Sequence, residues 1–267
     1  MSFSSGLELF GAELRRSWIQ FIRYPSEAIV GVFIIVVTFY FLFAGASYIA
    51  GPETGLNSAA GAERLEVLTV GYILSILVIS VLSTTSNSLE SEASTGTLEQ
   101  IFLSPFQSLT VFIMRAFASL TLRLAIVGIS FAAILLITGT QLYFPPILLL
   151  PLTTLLLSAH GLAFAIAGLV LVVKRVSQVL GAVQFSLFLL LGSPVEQMTG
   201  WGRTLAWLAP MTPSAGLLRN LMARELPFDW KLYSIALMNA LFYLCLGFFV
   251  FTRAEHRAKC QGLLSGY

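Results

Sequence analysis

The chain has 267 residues, of which 57% are hydrophobic and only 10% are charged, and its formal net charge is +2. Soluble domains are typically about a quarter charged, so this composition excludes an ordinary soluble enzyme and predicts a protein whose solvent is lipid. The small net charge gives no support to nucleic-acid binding. We therefore expect one all-α membrane domain over residues 1–267.

The first organised segment, 6–23, has the pattern of an amphipathic helix lying in the membrane interface. Its apolar residues recur at spacings of three and four and are Leu7, Phe10, Leu14, Trp18 and Phe21. Its basic residues, which fall between them and would face the headgroups, are Arg15, Arg16 and Arg23. The pair Tyr24-Pro25 ends the segment, because proline cannot continue a helix.

Six apolar runs follow, and we expect six transmembrane helices, since a bilayer core of about 30 Å needs about 20 helical residues. The predicted spans are 28–49, 67–88, 109–138, 147–173, 176–192 and 232–252. The fifth run is short. Only Lys174 and Arg175 separate it from the fourth, which predicts a tight turn between two helices.

The lysines and arginines predict the orientation. On the side that holds both termini, the six-span arrangement places ten of them: Arg15, Arg16, Arg23, Arg115, Arg123, Lys174, Arg175, Arg253, Arg257 and Lys259. The other side holds five: Arg64, Arg203, Arg219, Arg224 and Lys231. Because cytoplasmic loops carry the excess of basic residues, we expect a multi-pass protein of the cell (inner or plasma) membrane with both termini in the cytoplasm.

The segment 193–230 is too polar to span a membrane, yet it is rich in Trp, Leu and Met. Four prolines divide it into short pieces: Pro194, Pro210, Pro213 and Pro227. We expect short re-entrant helices that dip into the outer leaflet and pack on the bundle. The alternative is a solvated loop.

The link between the second and third spans predicts a short exposed helix. Thr97 and Gln100 form a capping box, and Pro105 ends the helix after about two turns. Leu98, Ile101 and Phe102 then share one face. A short apolar face in water usually fills a groove on a partner. The alternative is a plain interfacial loop.

The same link resembles the cytoplasmic motif of permease subunits of ATP-binding-cassette exporters of the ABC-2 type. The matching residues are Glu90-Ser91-Glu92, Gly96-Thr97-Leu98-Glu99-Gln100 and Leu103-Ser104-Pro105. Further matches are Arg23-Tyr24-Pro25 after the first helix, Leu208 to Pro213, and Leu217-Leu218-Arg219, so the resemblance covers nearly the whole chain. The chain departs from the family at Ser91, Ala93 and Ser94, where arginine is frequent.

The resemblance implies a permease that moves an amphipathic or hydrophobic substrate, such as a drug, a lipid or a lipid-linked glycan, out of the cytoplasm. The helix near Thr97 would be the coupling helix that docks on a separate ATPase subunit, which would hold the ATP and Mg²⁺, so no cofactor is expected on this chain. The implied coupling residues are Glu90, Glu92, Gly96, Thr97, Leu98, Glu99, Ile101, Phe102 and Leu103. The other implied partners are a second copy or a homologous permease, and membrane lipid.

Other candidate sites are weaker. None of the three lysines follows a glycine, so no phosphate-binding loop is present in the sequence. His160 is expected to be a buried packing residue rather than a transport residue, and with only His256 besides it no metal site is expected. For Arg115 and Arg123 the favoured interpretation is snorkelling to the interface, and the alternatives are pairing with Glu90 or Glu92 or contact with lipid phosphates.

Small polar residues in the spans suggest a weakly polar pathway wall, with Thr38, Ser75, Gln184 and Ser186 as the candidates. The alternative function is a secondary transporter or channel not driven by ATP. That class predicts acidic residues in the middle of spans for ion coupling, and the sequence has none there. A membrane-embedded enzyme would need clustered His, Asp or Glu within the spans, where only His160 is found.

Overall fold

The computed structural model of the protein describes residues 3–50, 59–95, 108–172 and 176–260. Within these ranges the chain is helical and contains no strand. The α-helices are α1 (Phe3–Arg23), α2 (Pro25–Ala50), α3 (Ala59–Ser94), α4 (Ser108–Thr138), α5 (Leu149–Val172), α6 (Ser177–Gly192), α7 (Trp201–Leu208), α8 (Thr212–Met222) and α9 (Trp230–Cys260). Short 3-10 turns, Pro146–Leu148 and Val195–Gln197, precede α5 and α7.

Five of the described helices, α2, α3, α4, α5 and α9, are long and apolar enough to cross a membrane. Helix α6 is also apolar but has only 16 residues. At 1.5 Å per residue it is about 24 Å long, which is shorter than the bilayer core of about 30 Å. The chain is therefore a multi-pass membrane protein, and its sixth span stays a prediction.

The bundle formed by the described helices has two ends. At one end α1 packs on α4, and Ser108 in the first turn of α4 contacts Glu255 near the end of α9; we call this the proximal end. Helices α7 and α8 lie at the opposite, distal end. Helix α6 runs antiparallel to α3, since Gln184 contacts Ser83 while the end of α6 lies against Gly71.

Helices α3 and α5 form the core of the bundle, and α2 lies at its edge. About two thirds or more of the spanning windows of α3 and α5 is buried inside the chain, against 6% for α2. Large apolar side chains such as Ile29, Phe33 and Phe41 project from α2 away from the bundle. This helix therefore presents an apolar face to lipid or to another chain.

Helices α5 and α9 make the most extensive helix–helix contact of the bundle. Gly161 of α5 packs directly on the backbone of α9 at Tyr243 and Gly247. Seven residues further along α5, a Cβ on Gly168 would stand 3.1 Å from the Cα of Phe251. Because both glycines lie on one face of α5, the two helix backbones approach closely, as small residues allow in membrane bundles.

Candidate functional site

A cluster of charged side chains joins α1, α3 and α4 at the proximal end. The Arg115 guanidinium donates through Nη1 to Glu92 Oε1 at 2.9 Å and through Nη2 to Glu13 Oε1 at 3.2 Å. All three side chains are largely buried, and the Arg16 guanidinium lies 3.8 Å from Glu92 at the exposed edge. Of the interpretations offered for Arg115, the structure shows the alternative of pairing with Glu92, and it adds Glu13 as a second carboxylate partner.

Helix α1 turns Glu13 toward the bundle and leaves its basic side chains outside. Glu13 is buried, with Phe10 and Phe21 half-buried on the same side of the helix. The four residues predicted to lie in the interface are exposed, and they are Arg15, Arg16, Trp18 and Arg23. The sequence pattern gave no signal for the pairing of Glu13 with Arg115, because the two residues lie about 100 positions apart along the chain.

A second polar contact fastens the start of α4 to the end of α9. Ser108 Oγ donates to Glu255 Oε1 at 2.5 Å, and Lys259 Nζ lies 2.6 Å from the same oxygen. Ser108 is buried although it occupies the first turn of α4. The carboxylate of Glu255 therefore holds the first turn of α4 against the proximal end of α9.

These two contacts lie on either side of the predicted coupling helix. Glu90 and Glu92 belong to the last turns of α3, where Glu90 is half-buried and Glu92 takes part in the charged cluster. The other predicted coupling residues lie outside the described residues: Gly96, Thr97, Leu98, Glu99, Ile101, Phe102 and Leu103. The described residues therefore include both flanks of the predicted coupling segment but not the segment itself.

A second charged network lies at the distal end around Arg219 of α8, whose side chain is fully buried. Arg219 Nη1 is 2.6 Å from Glu196 Oε2, and Nη2 donates to the carbonyl oxygen of Leu191. Burial lowers the pKa of the Arg219 guanidinium, and the Glu196 carboxylate opposes that shift. Since Leu191 is in the last turn of α6, the Arg219 charge caps the negative end of that helix.

Arg224 extends this network to α3. Its Nη1 lies 3.5 Å from Glu196 Oε1, and its Nε lies 3.2 Å from Glu63 Oε1. Gly71 of α3 leaves room for the end of α6, since a Cβ there would stand 2.8 Å from the Leu191 oxygen. The network therefore ties α3, α6 and α8 together. The sequence singled out Arg219 only through the family resemblance and gave no partner for it.

Side chains of α9 satisfy the backbone where α7 and α8 are joined. Met211 adopts a left-handed conformation with φ of 65° at this break. Its N–H donates to Asn239 Oδ1 at 3.2 Å, and Asn239 Nδ2 donates to the carbonyl of Ala209 at 3.0 Å. The Tyr243 hydroxyl donates to the carbonyl of Leu208 at 3.0 Å. Non-helical backbone at membrane depth needs such partners, because lipid supplies none.

The four predicted pathway residues lie on three helices. Thr38 of α2 and Ser186 of α6 are exposed. Gln184 of α6 is half-buried and donates to Ser83 Oγ of α3 at 2.8 Å. Ser75 of α3 is fully buried inside the chain. Gln184 therefore joins α6 to α3, whereas the Ser75 hydroxyl donates to the Gly71 carbonyl of its own helix. Of the four residues, Thr38 and Ser186 face outward.

An apolar cavity of about 240 Å³ opens between α2, α3 and α6. Its aromatic wall consists of Phe39, Tyr72 and Phe188, with ring centroids 5.2 Å apart for Phe39 and Tyr72 and 6.1 Å apart for Tyr72 and Phe188. The Tyr72 hydroxyl donates to the carbonyl of Ile35 at 2.7 Å. Because that polar group is satisfied within the chain, the cavity presents rings and aliphatic groups to an occupant.

His160 packs inside the bundle. Its ring stacks on Phe117 with centroids 5.7 Å apart, and Nδ1 lies 2.8 Å from the carbonyl oxygen of Leu156 on its own helix. Across the ranges that the structure describes, no group of three or more His, Cys, Asp or Glu residues is placed to hold a metal ion.

The sequence matches the family model described as ABC-2 type transporter over residues 8–222. No curated protein matches the chain. The matched range begins in α1 and ends with α8, so it contains the charged cluster at the proximal end, the predicted coupling segment and the distal network except Arg224. The chain therefore belongs to the ABC-2 type transporter family, as a membrane permease subunit that is not itself catalytic.

Proposed function

We propose that this chain is the membrane half of an ATP-driven exporter. Separate ATPase chains bind ATP and Mg²⁺ and press on the segment 96–107. The observation that supports this most directly is that both flanks of the segment are fastened by polar contacts. Glu92 on the entering flank pairs with Arg115 of α4, which also pairs with Glu13 of α1. Ser108 and Glu255 join the leaving flank to α9. Since helices move as rigid units, displacement of the segment is passed to α1, α4 and α9 together.

The cargo is a hydrophobic or amphipathic molecule, such as a drug, a lipid or the lipid part of a lipid-linked glycan. The cavity between α2, α3 and α6 supports this proposal, because no charged residue lines it. The exposed apolar face of α2 supports association with a second copy or a homologous permease in the cell membrane. In the proposed orientation the proximal end faces the cytoplasm.

The test is docking of the ATPase on variants of Phe102, the best anchor on the predicted coupling helix. Phe102→Ala is expected to weaken docking by about 2 kcal/mol, as for a buried aromatic hot spot. Phe102→Asp is expected to be worse, because it buries an unpaired charge. Phe102→Leu is the matched control, which keeps an apolar anchor. The measurement is co-purification of the ATPase with each variant. Wild-type recovery with Phe102→Asp would show that this segment is not the coupling element.

The energy source is tested separately in proteoliposomes that hold the permease with its ATPase. Export of a fluorescent lipid analogue is expected to require ATP and to continue when ionophores collapse all ion gradients. The secondary-transporter alternative predicts the reverse result: transport driven by an ion gradient without ATP.

A further inference from the structure

A second cavity, of about 260 Å³, lies at the proximal end where α1 joins α2, against α3 and α4. Residues of all four helices line it, among them Phe21, Gly31, Ser80, Thr84, Ser119 and Arg123. The neighbouring surface of α1 exposes Trp18, Ile19 and Ile22. An amphipathic helix with such residues lies at the boundary between headgroups and acyl chains, so the cavity opens at that level of the membrane.

The polar part of the wall combines one guanidinium with several hydroxyl groups. Arg123 is exposed, and the N–H donors of its planar guanidinium are arranged in a geometry that matches phosphate oxygens. The hydroxyls of Ser80, Thr84 and Ser119 each donate to a carbonyl of their own helix, at 2.7 to 2.9 Å. Their oxygens are therefore left as acceptors, which suits a ligand that carries its own N–H or O–H donors.

The remaining wall is apolar and contains unfilled space. Ile35, Ile76 and Val127 supply aliphatic contacts. Gly31 contributes no side chain, and a Cβ built on it would meet no atom within 4 Å. The cavity thus offers a polar region for a headgroup beside an apolar region for the first methylene groups of a chain.

We infer that this cavity binds the headgroup of a phospholipid. The phosphate is held by Arg123, and an ammonium or hydroxyl group of the headgroup donates to the oxygens of Ser80, Thr84 and Ser119. The cavity is smaller than the usual site for a drug-sized ligand, so the acyl chains run outside it along the bundle. Phosphatidylethanolamine and phosphatidylglycerol carry the required donors, whereas phosphatidylcholine has none on its headgroup. The site is independent of the proposed ATPase.

The test is lipid retention by the purified full-length chain in detergent, read by native mass spectrometry after exchange with vesicles of a single phospholipid. Gly31→Leu fills the cavity without changing charge, and Arg123→Gln removes the phosphate partner. Gly128→Leu is the volume control, since Gly128 of α4 also has open space around it but does not line the cavity. Arg253→Gln is the charge control on α9. Melting temperatures establish that each variant is folded.

Retention of phosphatidylethanolamine and phosphatidylglycerol is expected to fall about tenfold in Arg123→Gln, through the loss of one charge-assisted contact. It is expected to fall at least as far in Gly31→Leu, because the leucine occupies the space of the headgroup, and to stay at the wild-type level in both controls. Phosphatidylcholine is expected to be retained less well than either by the wild type. Equal retention of all three lipids, or equal loss in the controls, would overturn the proposal. So would displacement of the bound lipid by inorganic phosphate at millimolar concentration, which would identify a site for free anions.

Discussion

Arg219 is the residue on which the distal end most depends. A buried guanidinium is costly unless its charge and its donors are paired. Here Glu196 pairs with Nη1 and the Leu191 carbonyl accepts from Nη2, while the buried Nε has no hydrogen-bond partner among the described residues. Removal of Arg219 leaves the largely buried Glu196 carboxylate with the longer contact to Arg224 Nη1, at 3.5 Å. The same side chain also caps α6 through the Leu191 carbonyl.

Arg219→Met is therefore expected to lower the free energy of unfolding by about 3 kcal/mol, the usual cost of breaking a buried pair. Arg64→Met is the matched control, because Arg64 is exposed at the same end of the bundle and surface substitutions usually change stability by no more than about 0.5 kcal/mol. The measurement is thermal unfolding in detergent micelles. Equal melting temperatures for the two variants would contradict this role of Arg219.

Helix α5 depends on a close approach that only glycine permits. The Gly161 position faces backbone atoms of Tyr243 and Leu244, which cannot rotate away as a side-chain end can. Any larger residue must separate α5 from α9, and these two helices make the most extensive contact in the described part of the chain.

Gly161→Ala is expected to destabilise the protein by about 2 kcal/mol through overpacking. Gly181→Ala on α6 is the control, since a Cβ there meets nothing within 4 Å and alanine favours the helix by up to about 1 kcal/mol. Chemical denaturation of both variants in micelles is the measurement. A Gly161→Ala protein as stable as Gly181→Ala would show that the two backbones can move apart without cost.

The hydropathy pattern predicted the positions of these helices more accurately than their end residues. The apolar runs identified α2, α4 and α5 to within a few residues, but α3 begins at Ala59 rather than 67 and α9 continues to Cys260 rather than 252. Polar residues such as Glu63 and Arg257 end an apolar run, yet they do not break a helix. The runs therefore mark the part of a helix that suits lipid, and the helix itself extends into the interface.

The side-chain contacts of the candidate sites were less predictable. Glu92 was named as a possible partner of Arg115, but Glu13 and Glu196 were not assigned partners. Contacts between residues that are distant in sequence leave no periodic pattern, and only the packing of the bundle brings them together. The flanks of the predicted coupling segment could be placed from the sequence, while the contacts that hold these flanks to α1, α4 and α9 could not.

The whole molecule is expected to have both termini in the cytoplasm, as the distribution of lysine and arginine predicts. A protein whose sole cysteine replaces Thr204, exposed on α7, is expected to react with an impermeant thiol reagent only from outside the cell. The control is a protein that keeps only Cys260, at the proximal end of α9, which is expected to react only after the membrane is opened. Labelling of the Thr204 position from the cytoplasmic side alone would invert the proposed topology.

In the proposed mechanism, transmission of force through the bundle depends on the charged cluster at the proximal end. Glu13 is the only described link in this cluster that belongs to the interfacial helix and reaches Arg115. Glu13→Gln leaves Arg115 paired with Glu92, so the bundle is expected to remain folded while the contact between α1 and α4 is weakened. Glutamine keeps an acceptor oxygen but loses the carboxylate charge, which costs the contact on the order of 1.4 kcal/mol, so transport per ATP hydrolysed is expected to fall about tenfold.

Docking of the ATPase should not change in Glu13→Gln, because the apolar face of the predicted coupling helix is untouched. Glu8→Gln is the matched control, since Glu8 is exposed on the same helix. The measurements are co-purification of the ATPase and the ratio of transport to hydrolysis in proteoliposomes. If Glu13→Gln lost both ATPase docking and transport, Glu13 would belong to the surface that binds the ATPase. A wild-type ratio of transport to hydrolysis in Glu13→Gln would show that α1 does not transmit the motion of the ATPase to the spans. If α1 did transmit it, weakening its contact with Arg115 would reduce the transport obtained per ATP.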